Sequence, residues 1–442
     1  MVVAGAGVSG AAAARALRER GARVTVVDRD AARASTLRDE GFEVVAADAP
    51  PSGTGLVVTS PGWRPDAPLL VAAAASGIEV IGEVELAWRL QPRPGPAWLA
   101  VTGTNGKTTT VRMLAAILAA ASLRTIAAGN VGLPLLDAVL AVEPYDVLAV
   151  ELSSFQLHWA STVRPHSAVV LNVAPDHLDW HGSQEAYAEA KGRIHAPATV
   201  AVYNREDAAS VRLAAAADRR VGFTLGTPRV GELGVVEDLL VDRAFPDVPG
   251  EATELATLAD LTVPGAHNVA NALAAAALAR SYGVPASAVR DGLRGFTPDP
   301  HRNALVARVD GVSWVDDSKA TNSHAAAASL ASYDSVVWLA GGLLKGAEVD
   351  DLVRQAAPRL RAVVLLGTDR AAFAEALTRH APEIPVVEVE RLDTGAMTDV
   401  VARARELARP GDTVLLAPAA ASMDCFRDYR ERGELFAAQV RA

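Results

Sequence analysis

The run Gly103-Thr104-Asn105-Gly106-Lys107-Thr108 lies between an apolar stretch, Trp98-Leu99-Ala100-Val101-Thr102, and a helical pattern from about Lys107 to Ala121. Strand, glycine loop, helix is the context that a phosphate-binding loop needs. Backbone amides turn inward there, and the positive end of the helix faces the phosphate. Lys107 reaches the outer phosphates, and the Thr108 hydroxyl can ligate Mg²⁺. The full G-x-x-x-x-G-K-[ST] pattern has a further glycine at the position of Val101. Such a loop commits the surrounding chain to a parallel sheet with ligands at the strand C-termini.

The rest of the chain follows that rhythm. Its 442 residues suggest about three domains. Strands are predicted at Val2–Ala4, Arg23–Asp28, Leu56–Ser60, Val147–Glu151, Ala168–Asn172, Val312–Val315, Ser335–Ala340, Ala362–Gly367 and Thr413–Ala417, with helices such as Ser9–Arg20 and Asn268–Ser281 between them. Proline-rich breaks fall at Gln91–Pro96 and Phe296–His301. The expectation is an α/β protein of three domains. Residues 1–92 and 299–442 are Rossmann-like, and residues 93–298 form a phosphate-loop domain with a parallel sheet.

Composition narrows the function classes. A net charge of −10 argues against non-specific nucleic-acid binding. There is no apolar run long enough to span a membrane and no secretory leader. A lone Cys425 fits a reducing compartment, so a cytoplasmic location is expected. A monomer is expected too. The three-residue strand ahead of the first loop is short enough to expect that the start is clipped.

Lysine usage says more. Of 42 basic residues only Lys107, Lys191, Lys319 and Lys345 are lysines. Where arginine serves almost every cationic purpose, a lysine marks a place that needs a compact charge or a reactive neutral amine. Each of the four falls inside a motif chosen on other grounds.

Gly5-Ala6-Gly7-Val8-Ser9-Gly10, with Asp28 ending the next strand, brings backbone close to a phosphate, of NAD or of another diphosphate. Glu151 follows an apolar strand, placed either to hold Mg²⁺ or to start a helix. Asn172-Val173-Ala174-Pro175-Asp176-His177-Leu178-Asp179-Trp180-His181 packs two acids and two histidines at a strand end, for a metal or a phosphate, with His177 the first choice. Lys191 reads as an exposed helix face, or as an amine that takes up CO₂ to give a carbamate, a hard oxygen ligand. Asn268 and Asn271 share a helix face and either cap the helix or read an adenine edge. Arg302 follows the second break, suited to a transferred phosphoryl group or to a surface ion pair. Lys319, Thr321, Lys345 and Ser422 sit past strand ends of one sheet and could converge on a small anion.

Together, Gly103–Thr108, Gly129-Asn130-Val131-Gly132, Glu151-Leu152-Ser153-Ser154-Phe155, Asp176-His177-Leu178-Asp179 and His267-Asn268-x-x-Asn271 resemble the Mur ligases of peptidoglycan synthesis over almost the whole chain. Asp317-Ser318-Lys319-Ala320-Thr321-Asn322 is similar to the members that add D-glutamate to UDP-N-acetylmuramoyl-L-alanine. The family's shortened phosphate loop also lacks the first glycine, which accounts for Val101. The resemblance implies an ATP-dependent ligase working through an acyl phosphate. Gly103, Thr104, Asn105, Gly106, Lys107, Thr108, Thr109, Asn268, Asn271, Arg302 and Asp317 would bind ATP. Val8, Ser9, Asp28, Arg29, Ser60, Pro61, Gly62, Asn130 and His177 would contact the UDP-sugar. Lys319, Thr321, Lys345, Ser422, Met423 and Tyr429 would hold D-glutamate, with Met423 and Tyr429 standing where Leu and Phe are the rule. Two Mg²⁺ ions would sit on Thr108 and Glu151, and on His177 and Lys191 as its CO₂-derived carbamate. Lys107, His177, Lys191 and Lys319 would be catalytic.

Three other readings compete. A sister ligase would add a different amino acid; two lysines suit an acidic one. An NAD-dependent dehydrogenase would explain Gly5–Gly10 and leave the second phosphate loop unused. A nucleotide-gated switch would bind ATP and make no product.

Overall fold

The computed structural model describes residues 1–442, the side chain of Ala216 excepted. It contains three sheets. The first holds β1 (Val2–Ala4), β2 (Thr25–Val27), β3 (Glu43–Val45), β4 (Leu56–Thr59) and β5 (Glu79–Gly82), all parallel, in the order β3-β2-β1-β4-β5. The order reverses at β1, which places the Gly5–Gly10 loop at the crevice where such sheets bind ligands.

The second sheet holds β6 (Ala97–Thr102), β7 (Thr125–Gly129), β8 (Val147–Glu151), β9 (Ser167–Val170), β10 (Val200–Asn204), β11 (Arg219–Phe223), β12 (Glu232–Val236), β13 (Leu239–Asp242) and β14 (Thr253–Thr257). Its order is β14-β13-β12-β11-β10-β9-β6-β8-β7. It is parallel from β7 to β12 and antiparallel beyond. β6 lies between β8 and β9, so the phosphate loop that follows it opens at the switch in strand order. Leu99, Ala100, Val101, Leu148, Ala149, Val150, Ala168 and Val169 are fully buried. These unbroken apolar runs are what a parallel sheet covered on both faces requires.

The third sheet holds β15 (Ala304–Val309), β16 (Val312–Asp316), β17 (Val336–Gly341), β18 (Leu360–Leu366), β19 (Val386–Glu388) and β20 (Thr413–Leu416), in the order β15-β16-β20-β17-β18-β19. Only the β15–β16 pair is antiparallel.

The α/β class with three parallel-rich sheets is therefore as the sequence led one to expect. The antiparallel hairpins β12–β14 and β15–β16 were not. The chain forms two compact units: Met1–Leu261 with Ala270–Phe296, and Thr262–Val269 with Thr297–Ala442. The first unit holds the first two sheets on one continuous core, in which Val3, Leu17, Ile81 and Val84 join Trp98, Leu136, Leu148 and Leu157. No helix among the described residues is long and apolar enough to cross a membrane.

Candidate functional site

In the first unit, the turn after β6 is built by two glycines with little freedom to be anything else. Gly103 has φ 156° and Gly106 φ 85°, and a Cβ on Gly106 would lie 2.4 Å from Asn271 Oδ1. Asn271 also accepts a hydrogen bond from Thr110 Oγ1 at 3.2 Å, which fixes it against the helix Lys107–Ala120. Asn172 brackets the loop, its side chain accepting from Asn105 N at 2.9 Å and donating to Asn105 O at 3.1 Å. Thr104 Oγ1 accepts from Ala174 N and lies 3.0 Å from the Tyr187 hydroxyl. The Thr104 and Asn105 positions thus tie the loop to residues 172–174 after β9 and to the helix Gln184–Gly192. Thr108 and Thr109 start the next helix, Thr108 buried and Thr109 half-buried.

Two lysines meet here. Lys107 Nζ donates to Gly103 O and Thr104 O, both at 2.9 Å. Lys191 Nζ donates to the same Gly103 O, also at 2.9 Å, and stands 4.5 Å from the Tyr187 ring centre. Lys191 is only 1% exposed. Burial and the neighbouring Lys107 hold its amine well below the usual lysine range, against the opposing pull of Asp176 and Glu151. Burial and the second ammonium on the same carbonyl thus favour the neutral amine of Lys191. A neutral amine is the form that reacts with CO₂.

Glu151 ends β8, 2% exposed. Its Oε1 accepts from Asn130 Nδ2 at 2.7 Å, and its Oε2 is buried with no hydrogen-bond partner. A buried carboxylate oxygen left unpaired is costly, and a cation is the natural partner for it. Mg²⁺ keeps water and phosphate in its shell and takes only one or two carboxylates from the protein, so the single unpaired oxygen of Glu151 is enough of a protein ligand for it. The residues therefore fit the ion.

His177 caps the short helix Leu178–His181 with φ 53° and lies half-exposed, its ring 4.7 Å from that of Phe155. Burial pushes its imidazole down, Asp176 partly opposing. His181 is no loose surface residue. Its Nε2 lies 3.0 Å from Ser154 Oγ, its ring stacks on Phe155, and burial pushes it down to about 4.

The first sheet offers a second phosphate-type turn. Gly5 has φ 101°, and a Cβ on Gly10 would fall 1.8 Å from Gly5 O. Asp28 accepts from Ala6 N at 2.7 Å and from Asp30 N at 2.8 Å, so its carboxylate shapes this loop. Ser60 Oγ is buried without a partner close to Gly5, Val8 is 75% exposed, and Ser9, Pro61 and Gly62 flank them. Arg29 pairs with Asp48 on the surface at 2.5 Å.

The second unit carries the remaining candidates. His301 Nδ1 lies 2.6 Å from Asp316 Oδ2, which raises the imidazole above its usual range. A Cβ on Gly433 would meet that imidazole at 2.1 Å. Arg302 is half-buried beside it. Asp317 accepts from Asn303 N at 3.1 Å, and burial pushes it up to about 6. Asn268 donates to Pro264 O at 2.7 Å. Lys319 Nζ stands 4.1 Å over the Tyr429 ring, and Thr321 N closes a tight turn on Lys319 O. Lys345 adopts φ 52°, Ser422 is buried, and Met423 is 62% exposed.

Arg432 holds this region together. Fully buried, it donates to Ser318 Oγ at 2.9 Å, Ser318 O at 2.8 Å and Ala420 O at 3.2 Å. It thereby fixes the loop of Lys319 against the loop of Ser422. Neither Arg432 nor Tyr187 stands out in the sequence, since an arginine among 38 and a helix tyrosine carry no local signal.

A phosphate loop, a buried carboxylate and a buried lysine at the edge of one parallel sheet define an ATP-type phosphate-loop enzyme. Comparison with known proteins agrees with that class. Residues 101–279 match the Mur ligase middle domain, residues 301–420 the Mur ligase, glutamate ligase domain, and residues 1–51 the TrkA-N domain. The chain is 64% identical to the UDP-N-acetylmuramoylalanine–D-glutamate ligase of Thermobifida fusca, over 100% of this chain and 97% of that one. It is 50% identical to the ligase of the same name from Mycolicibacterium smegmatis, over 100% and 96%. Among solved structures it is similar in fold to UDP-N-acetylmuramate-alanine ligase MurC of Thermotoga maritima (TM-score 0.60, 20% identity, 100% and 98% covered). It is similar also to MurF of Acinetobacter baumannii (TM-score 0.63, 19% identity, 95% and 90% covered). The chain belongs to the Mur ligase family.

Proposed function

We propose that the chain is an ATP-dependent ligase that joins UDP-N-acetylmuramoyl-L-alanine to D-glutamate in peptidoglycan synthesis. The observation that carries this reading is the meeting of Lys107 and Lys191 on Gly103 O beside Glu151, in a chain related end to end to ligases of that name. The L-alanine carboxylate attacks the γ-phosphorus of ATP, the bond to the bridging oxygen breaks, and ADP leaves. The D-glutamate amine attacks the acyl phosphate, its nitrogen gives up a proton, and phosphate departs from the tetrahedral intermediate. Water would hydrolyse the acyl phosphate, so both steps need an enclosed site.

Lys107 neutralises phosphate charge in the first step. Thr108 and Glu151 would hold one Mg²⁺, and His177 with the Lys191 carbamate a second. Mg²⁺ bound there would offset the repulsion between carboxylate and triphosphate. Asn268, Asn271, Arg302 and Asp317 serve ATP. Val8, Ser9, Asp28, Arg29, Ser60, Pro61, Gly62, Asn130 and His177 serve the UDP-sugar. Lys319, Thr321, Lys345, Ser422, Met423 and Tyr429 serve D-glutamate, whose two carboxylates suit two lysines. The work is divided among residues 1–92, 93–298 and 299–442, in a cytoplasmic monomer. The test is phosphate release from ATP and Mg²⁺ with UDP-N-acetylmuramoyl-L-alanine, comparing D-glutamate, L-glutamate, L-lysine and no amino acid. Release that depends on D-glutamate alone supports the reading. Equal release with another amino acid, or none at all, refutes it.

A further inference from the structure

The helix Glu83–Leu90 carries two buried carboxylates that the reaction does not use, Glu83 and Glu85. Glu85 spends its oxygens on Ser161 N, Thr162 N, Thr162 Oγ1 and Arg89 Nε. Glu83 has a different partner. Its Oε1 accepts from Leu136 N at 2.8 Å, at the start of the helix Leu135–Val139. The first amides of a helix have no partner within it, so this carboxylate supplies one from outside.

The segment leading into that helix, 129–134, is closed on itself. Gly129 N donates to Leu133 O at 2.8 Å. Asn130 N donates to Glu151 O at 2.9 Å, and Asn130 Nδ2 to Glu151 Oε1 at 2.7 Å. Gly129 has φ 104°, and a Cβ there would sit 2.3 Å from Glu151 O. Gly132 has φ 72°, with a Cβ 2.3 Å from Ala127 O. The loop therefore has one conformation available, held at its far end by Glu83 and at its near end by Glu151.

We propose that Glu83 is a positioning residue for Glu151: by anchoring the loop 129–134 it lets Asn130 hold one Glu151 oxygen and leave the other unpaired for a divalent cation. The inference rests on the reading of Glu151 as a Mg²⁺ ligand. Glu83 has no cation beside it. Asp137, on the helix it caps, is the charge that acts on it, and Arg15 and Glu19 act in turn on Asp137. Its value in the fold lies in its bond to Leu136, not in an ion pair.

The test compares full-length Glu83→Ala, Glu85→Ala and Glu151→Gln. Mg²⁺ is titrated against the rise in melting temperature that ATP produces, and then in steady-state turnover. Glu83→Ala, which removes the acceptor for Leu136 N, is expected to raise the Mg²⁺ concentration for half effect at least fivefold in both readouts, with KM for D-glutamate within twofold of the parent. Glu85→Ala, equally buried on the same helix, is expected to lower the melting temperature and leave the Mg²⁺ midpoint within twofold. An unchanged midpoint in Glu83→Ala, or an equal shift in Glu85→Ala, overturns the proposal while a lost Mg²⁺ response in Glu151→Gln keeps the metal reading intact. A normal Mg²⁺ response in Glu151→Gln overturns the metal reading and this one with it. If Glu83→Ala does not fold, Glu83→Asp withdraws the carboxylate by one methylene and is judged by the same midpoint.

Discussion

Neutralising Glu151 should make the metal-free protein more stable while destroying its function. The Glu151 side chain is buried, Oε1 is bonded to Asn130, and Oε2 has no partner. A buried polar atom without a partner costs on the order of 1–3 kcal/mol, and a charged one more. In Glu151→Gln the amide oxygen can still accept from Asn130, and what remains unpaired is an uncharged NH₂. The gain is then about 1–2 kcal/mol, or about 2–6 °C in the melting temperature of a unit this large. This sum holds only if Lys191 is neutral, the direction in which burial and Lys107 push it. Were Lys191 charged, removing its anionic neighbour would lower the melting temperature instead. The assay is thermal melting in EDTA and in Mg²⁺ with ATP, beside phosphate release. The parent should gain stability from Mg²⁺ and ATP, the variant little, and turnover should fall at least about a hundredfold. A variant that melts below the parent in EDTA refutes both the unpaired oxygen and the neutral lysine.

Lys191→Ala should lose nearly all turnover and regain part of it with formate or acetate, which can lend the oxygen ligands of a carbamate; restoration by neither argues for a plain amine. Gly106→Ala places a methyl 2.4 Å from Asn271 Oδ1 at φ 85°, so ATP should no longer raise the melting temperature, as fluorimetry would show. Burial pushes Glu83 up to about 7 from an ordinary 4.5, so the folded state keeps a proton that the unfolded chain releases. Its contribution is present below about pH 4.5 and is lost as pH rises through 7, up to about 3 kcal/mol, and stability should fall less over that range in Glu83→Gln when both are unfolded by urea.

Much of this architecture was legible because parallel sheets write themselves into sequence as uninterrupted apolar runs. Val147–Glu151 and Ala97–Thr102 came out within a residue for that reason. The hairpin β12–β13 did not. Its two-residue turn is Glu237-Asp238, with Glu237 at φ 55°, where a glycine or asparagine would have announced it. The edge strand β15 alternates poorly and holds exposed Leu305, so its pairing with β16 comes from tertiary context.

The site was legible to the extent that scarcity exposed it. A chain that writes arginine almost everywhere isolates its lysines, and Lys107 and Lys191 indeed meet on one carbonyl 88 residues apart from Lys191 in sequence. What sequence could not give was the state of those groups. Nothing in Glu189-Ala190-Lys191 distinguishes a solvated amine from a buried one; only its burial and the closeness of Lys107 push it towards the neutral form. Likewise Glu151 reads as an ordinary acid until Asn130 is seen to occupy one oxygen and nothing the other. The supporting residues are ordinary in type and distant in sequence: Asn172 and Arg432 act through side chain to backbone bonds that tie one strand-end loop to another, and Tyr187 through its hydroxyl on the Thr104 side chain. Their chemistry is generic and their placement is not, so they become visible only when the sheet order has put the loops side by side.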